Sequence, residues 1–239
     1  MTLIKSTKPG AGQNETIPPV EICTLGLRDY HPTWQAMLQF TEQRTADTAD
    51  QIWIVEHPPV YTLGLAGKPE HLLNPQGIPV INTDRGGQVT YHGPGQLVVY
   101  LLLDLKRRQL GIKPLVQKIE QALIQLLADY QIQAHTIESA PGVYVDQKKI
   151  AALGLRVRRN GCYHGLSLNI DMDLSPFLGI NPCGYPGLEV IQLHDLNPDC
   201  TLDSMQEIAQ RLVQQLLAQL QTSSHNSFGN NTPESGSRS

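Results

Sequence analysis

The residues of this chain best suited to covalent chemistry are its four cysteines, Cys23, Cys162, Cys183 and Cys200. The thiolate is the nucleophile in cysteine chemistry, and an ordinary thiol of pKa about 8.5 is only slightly ionised at neutral pH. A reactive cysteine therefore needs access and a nearby cation. Cys183 lies in Pro182-Cys183-Gly184, where neighbours of little bulk leave it reachable. Lys149, at the head of the small-residue run Lys149-Ile150-Ala151-Ala152-Leu153-Gly154, is a candidate cation. Desolvation there favours the neutral amine and a nearby thiolate favours the ammonium, so the two would titrate as a coupled pair. A lone cysteine is also commonly a small core residue, and a lysine beside another lysine commonly faces solvent. Cys162 is followed by a polar pair of its own, Tyr163-His164. Spacing alone leaves these readings open. No C-x-x-C or H-x-E pair is present to start a metal site, and neither metal nor cofactor is expected.

The densest motif is RGGQVTYHGPGQ, residues 85–96. Paired glycines let a backbone approach a ligand closely and turn successive N–H groups toward it, and Arg85 would add a positive fork beside them. The G-K-[ST] of a phosphate-binding P-loop is missing, as is the G-x-G-x-x-G of a dinucleotide fold. A plain β-hairpin turning at Gly93-Pro94-Gly95 is the alternative.

Strands and helices alternate around these motifs. Strand patterns fall at 20–25, 52–55, 60–63, 142–145, 149–157 and 163–170; the pair at 52–55 and 60–63 is joined by His57-Pro58-Pro59. Residues 97–105, LVVYLLLDL, are too uniformly apolar for a half-exposed strand and belong at the centre of a sheet. Helices are predicted at 29–44, from Pro114 onward with Leu115, Ile119, Leu123, Leu126 and Leu127 inward, and at 202–220 with Thr201 as N-cap. The expected fold class is α/β: one domain with a mixed sheet flanked by helices.

Hydrophobic residues make up 40% and charged residues 17% of the 239, as in ordinary globular proteins. A net charge of −4 argues against nucleic acid as a partner, since counterion release needs a surplus of Lys and Arg. No run of signal-peptide or membrane-span length is present, so the expected compartment is the cytoplasm, with no membrane partner. Residues 1–19 and 222–239 read as tails around a catalytic domain at 20–221, the second tail being Ser/Asn/Gly-rich and expected to be disordered.

Five ordered motifs identify a family. EHPPVYTLG at 56–64, RGGQVTYHGPGQL at 85–97, KIAALG at 149–154, HGLSLN at 164–169 and PCG at 182–184 together resemble the lipoate–protein ligase B family, the octanoyltransferases of lipoic acid synthesis. The resemblance covers residues 25–196. It implies a fold similar to that of biotin and lipoate ligases. It implies transfer of an octanoyl group from octanoyl acyl carrier protein to the lysine of lipoyl domains, those of 2-oxoacid dehydrogenase complexes and of the glycine cleavage H protein. It implies an acyl-thioester on Cys183, with Lys149 as its partner, favouring the thiolate and moving protons. The family's acyl pocket maps onto Arg85, Gly86, Gly87, Gln88, Val89, Thr90, Tyr91, His92, Ala152, Leu153, Gly154, Gly165, Leu166 and Ser167.

Exchange of one thioester for another is near thermoneutral and aminolysis runs downhill, so no ATP is required. The oxyanion needs preset donors, for which the backbone at Cys183-Gly184 and Gly86-Gly87 is the candidate. Lys106, Arg107, Arg108, Arg156, Arg158 and Arg159 are candidates for docking an acidic carrier protein. The competing readings are an ATP-dependent lipoate or biotin protein ligase, a non-catalytic acyl-binding scaffold, and a thioesterase.

Overall fold

A computed structural model describes residues 19–197 and 204–221. In chain order its elements are Glu21–Leu27 (β1), Tyr30–Gln43 (α1), Gln51–Glu56 (β2), Val60–Leu63 (β3), Val80–Asn82 (β4), Val89–His92 (β5), Gln96–Asp104 (β6), Ile112–Asp129 (α2), His135–Ile137 (β7), Ala140–Val145 (β8), Lys148–Arg158 (β9), Gly161–Asn169 (β10), Leu193–Leu196 (α3) and Met205–Gln221 (α4). The uniformly apolar run is β6, and it is apolar because both its faces are covered. Leu97, Val99, Leu101 and Leu103 meet Leu115, Ile119 and Leu123 of α2 and Leu212 and Leu216 of α4. Val98, Tyr100 and Leu102 meet Met37 of α1. Each such fully buried side chain contributes roughly 1.5–3 kcal/mol of transfer free energy.

β6 is the third strand of a seven-stranded sheet ordered β1-β2-β6-β10-β9-β8-β7. β1 and β2 run parallel and the other neighbours are antiparallel, so the sheet is mixed, as expected. A second sheet, β4-β3-β5, carries its own small core of Tyr61, Leu63, Val89 and Tyr91 against Phe177 and Ile180. β5 pairs with β3, whereas β6 pairs with β2 and β10. Gly93-Pro94-Gly95 is therefore not a hairpin turn. It carries the chain out of one sheet and into the other.

The last helix starts later than its periodicity suggested. Ser204 and Glu207 form a reciprocal capping box, Glu207 N donating to Ser204 Oγ at 3.3 Å and Ser204 N to Glu207 Oε2 at 2.6 Å. Thr201, expected as the cap, and Cys200 lie outside the described residues, as do both expected tails apart from Pro19. Among the described residues no helix is long and apolar enough to cross a membrane.

Candidate active site

Cys183 occupies a single 3-10 turn, Pro182–Gly184, closed by Gly184 N donating to Asn181 O at 2.9 Å and Tyr185 N to Pro182 O at 3.1 Å. Its φ is 55°, in the left-handed region that a side chain makes unfavourable, so the surroundings must hold it there. They do so on both sides. Asn181 N donates to His71 O at 2.8 Å. Further on the chain returns to the head of β9, with Lys149 N donating to Glu189 O at 2.9 Å and Ile191 N to Lys149 O at 3.1 Å. This return closes a separation of 34 residues and places Lys149 Nζ 3.1 Å from Cys183 Sγ.

Lys149 is buried. Its ammonium also donates to Pro141 O at 3.0 Å and stands 5.0 Å from the Tyr144 ring centroid, a cation–π distance. Burial works to lower its pKa, but the attraction of Cys183 and of Tyr144 outweighs burial and the net shift is upward. Lys149 is thus a cation at neutral pH. The position of Pro141 depends on Gly142, at φ 140°, where a Cβ would meet Ala151 O at 2.7 Å and Lys149 Nζ at 3.1 Å. Gly142 N donates to Oε1 of the buried Glu120 at 3.0 Å, so α2 anchors the strand that supplies the lysine's carbonyl partner.

The glycine loop lies across β9. Gly86 N donates to Leu155 O at 3.0 Å, and the approach needs a glycine beneath it: a Cβ at Gly154 would meet Gly86 O at 3.0 Å. The Arg85 guanidinium is buried and hydrogen-bonded within the protein. Nε donates to Thr62 Oγ1 at 3.0 Å, Nη1 to Gly86 O at 2.9 Å, and Nη2 to Thr62 O at 2.6 Å and Gln88 O at 2.7 Å. Arg85 is thereby the strut of its own loop. A charged side chain inside a water-poor loop is satisfied most cheaply by that loop's carbonyls.

These elements surround a cleft of about 480 Å³, counted out to its mouth, with Cys183 at its edge. Of the residues expected in an acyl pocket, Arg85, Gly87, Gln88, Val89, Thr90, His92, Ala152, Leu153, Gly154, Gly165, Leu166 and Ser167 line it. Gly86 instead faces a second groove of about 840 Å³, lined also by Pro141, Lys149 and Tyr185, which meets the first cleft at Cys183. Tyr91 does not line the cleft. It sits on the other face of β5, its ring 5.5 Å from those of Tyr61 and Phe177 in the small core. Strand alternation sends Thr90 and His92 one way and Tyr91 the other.

Sequence reading missed the residues that close the cleft: Tyr30, Tyr100 and His164, backed by His57 and Asp84. His57 Nδ1 donates to Arg28 O at 2.6 Å, so its Nε2 accepts from Tyr100 OH at 2.7 Å. Burial, with His57 beside it, pushes the His92 pKa down to about 3, and burial also lowers those of His57 and His164. Burial disfavours the Asp84 carboxylate, yet hydrogen bonds from His164, Tyr163 and Trp34 outweigh it and hold the pKa at about 2. A polar ring tip inside the apolar run of β6, Tyr100, was the one legible signal.

Two candidate oxyanion donors, Gly86 N and Gly184 N, are committed to Leu155 O and Asn181 O. Of the candidate docking cations, Arg107 and Arg108 are engaged elsewhere. Arg107 Nη2 and Arg108 Nε reach the fully buried Asp50 at 2.7 and 2.5 Å, together with Arg44 Nη2 at 2.5 Å. Arg158 pairs with Glu42 at 2.8 Å.

A mixed sheet carrying the glycine loop over one strand and the Lys149–Cys183 contact at that strand's head places the protein among the lipoate and biotin protein ligase folds. It superimposes on a bipartite lipoate protein ligase from Thermoplasma acidophilum with a TM-score of 0.66 at 14% identity, covering 84% of this chain and 83% of that one. A biotin protein ligase from Aquifex aeolicus, solved with biotin and ATP, gives 0.51 at 10% identity, covering 84% and 70%. Residues 29–217 match the family described as the lipoyl protein ligase A/B catalytic domain. Octanoyltransferases from Dechloromonas aromatica and Laribacter hongkongensis are 62% and 60% identical, over 84% of this chain and 98% and 96% of theirs. The chain belongs to the lipoate–protein ligase B family.

Proposed function

We propose that the protein moves an octanoyl group from octanoyl acyl carrier protein to the lysine of a lipoyl domain, through a thioester on Cys183. The observation that carries this reading is the 3.1 Å contact from Lys149 Nζ to Cys183 Sγ at the edge of the cleft. The ammonium favours the thiolate, which attacks the carrier's thioester carbonyl. As the tetrahedral intermediate collapses, the carrier's sulfur leaves with a proton from Lys149, and the acyl group stays on Cys183. Lys149, now neutral, takes a proton from the incoming lysine amine as that nitrogen attacks the Cys183 thioester. Cys183 leaves as thiolate beside the restored ammonium. The net change is one thioester consumed, one amide and one carrier thiol formed.

The two grooves that meet at Cys183 suit this sequence. The cleft walled by Val89, Leu153 and Leu166 takes the acyl chain, while the wider groove past Pro141 and Tyr185 admits first the carrier's thioester arm and then the acceptor lysine. Incubating the protein with octanoyl carrier protein should add one octanoyl mass, lost on hydroxylamine treatment, and Cys183→Ala should abolish both the adduct and transfer to a lipoyl domain. Transfer by that variant at the normal rate, or transfer that needs free octanoate and ATP, would overturn the reading.

A further inference from the structure

Tyr30, His92, Tyr100 and His164 give the cleft a polar wall, although the chain it would hold is apolar. His164 belongs to that wall, and it reaches it through an unusual backbone. Neighbouring residues on a strand project to opposite faces, but His164 stands at φ 59° within β10. As a result Tyr163 OH and His164 Nε2 both reach Asp84, the latter at 3.0 Å, and their rings stack with centroids 5.0 Å apart. The Asp84 carboxylate only accepts, so Nε2 carries the proton and Nδ1 holds a lone pair. Nδ1 is buried and has no hydrogen-bond partner among the described residues. Tyr100 lines the same wall, its ring centroid 6.1 Å from that of His164.

We propose that His164 sets the length of acyl chain the protein accepts, by ending the cleft in an unpaired acceptor that a longer apolar chain would have to cover. The inference rests on the acyl-transfer reading of Cys183. Ser167 lines a cavity together with Cys183, and His164 lies three residues from Ser167 on β10, so roughly 10 Å of strand separates the Cys183 side of the cleft from that wall at about 3.3 Å per residue. An extended eight-carbon chain reaches a similar ~9–10 Å from bonds of about 1.5 Å. An octanoyl methyl group therefore stops at the wall. Each further methylene must displace whatever solvates Nδ1 and give it nothing in return, which disfavours longer chains on the order of tenfold or more.

The test uses the intact protein and acyl carrier proteins in pairwise competition, read as the mass of the Cys183 adduct. Octanoyl should exceed dodecanoyl by about tenfold or more. The diagnostic pair is 8-hydroxyoctanoyl against nonanoyl, equal in length, where only the hydroxyl can donate to Nδ1. Wild-type protein should prefer the hydroxylated chain several-fold, and His164→Gly, which suits the left-handed backbone, should reverse that order and raise the dodecanoyl-to-octanoyl ratio about tenfold. His164→Asn, which also tolerates that backbone, should keep the wild-type order of the pair. Equal use of all lengths by the wild type, or a wild-type preference for nonanoyl, overturns the inference even if His164→Gly fails to fold. A proportional loss of every chain in His164→Gly does so as well. No adduct from any carrier overturns the acyl-transfer reading itself.

Discussion

At the scale of single residues, the site is a lysine held by three different contacts. Pro141 O, Cys183 Sγ and the Tyr144 ring all engage the ammonium of Lys149. Replacing Lys149 with Ala removes the cation that, among the described residues, touches the sulfur, so alkylation of Cys183 by iodoacetamide at neutral pH should slow by roughly tenfold. An alkylation profile that matches wild type from pH 6 to 9 would show that the contact does not govern the thiolate. Gly142→Ala probes the same geometry from behind, because the new Cβ would press on Ala151 O and Lys149 Nζ. Transfer should drop by about tenfold or more while the circular dichroism spectrum stays native; wild-type activity would mean the lysine does not depend on that approach. Both residues of the pair were legible as candidates, since Pro-Cys-Gly and a small-residue strand mark exposure and close packing. Tyr144 and Glu120 were not, because nothing local ties an aromatic on β8 or a glutamate on α2 to a lysine on β9.

Between elements, a buried electrostatic junction forms around Asp50. Asp50 is fully buried where the α1–β2 connection meets the end of β6, and Arg44, Arg107 and Arg108 converge on it. Asp104 N donates to the same carboxylate at 2.8 Å. Asp50→Asn keeps the shape but leaves three guanidiniums without a counter-charge, so it should destabilise the fold by about 3–5 kcal/mol, or roughly 10 °C in melting temperature. A urea midpoint unchanged from wild type would show that solvent screens the cluster. The same junction takes two cations out of the charge run Lys106-Arg107-Arg108: Arg107 and Arg108 are engaged by Asp50, more than fifty residues away in sequence. The helix pattern of α2 and the buried pattern of β6 were legible because each needs only its own periodicity. The separation of β5 and β6 into different sheets was not, since Gly93-Pro94-Gly95 has the local chemistry of a hairpin turn either way.

For the whole molecule, three buried histidines make stability depend on pH. His57, His92 and His164 are all held neutral by burial, so their folded pKa values lie below the unfolded value of about 6.5. The unfolded chain therefore takes up protons that the folded one refuses as pH falls below about 6.5, and each histidine lowers stability by up to ~1.4 kcal/mol per pH unit. For His92 this loss continues down to its folded pKa of about 3. Asp84 adds a later loss, between the ordinary carboxylate value of about 4 and its folded value of about 2. Denaturant midpoints should accordingly be lower at pH 5 than at pH 7.5. Equal midpoints would mean that the histidines protonate without unfolding the chain.

Composition, periodicity and the order of five motifs were enough to define an α/β domain with a mixed sheet, the family, and the two residues most worth testing. Those properties are local, because the pattern of apolar positions and the chemistry of a short loop depend on residues a few places apart. Tertiary structure decided what depends on distant partners. It bonded Arg85 to its own loop as a strut, set Tyr91 in a second core, engaged Arg107 and Arg108 with Asp50, and brought His164 into the lining of the cleft. It also brought Lys149 and Cys183 to 3.1 Å, through a chain return that pairs residues 189–191 with the head of β9. A charge or hydrogen bond is satisfied by whichever group the closed fold brings near, and that group is set by the packing of the whole chain.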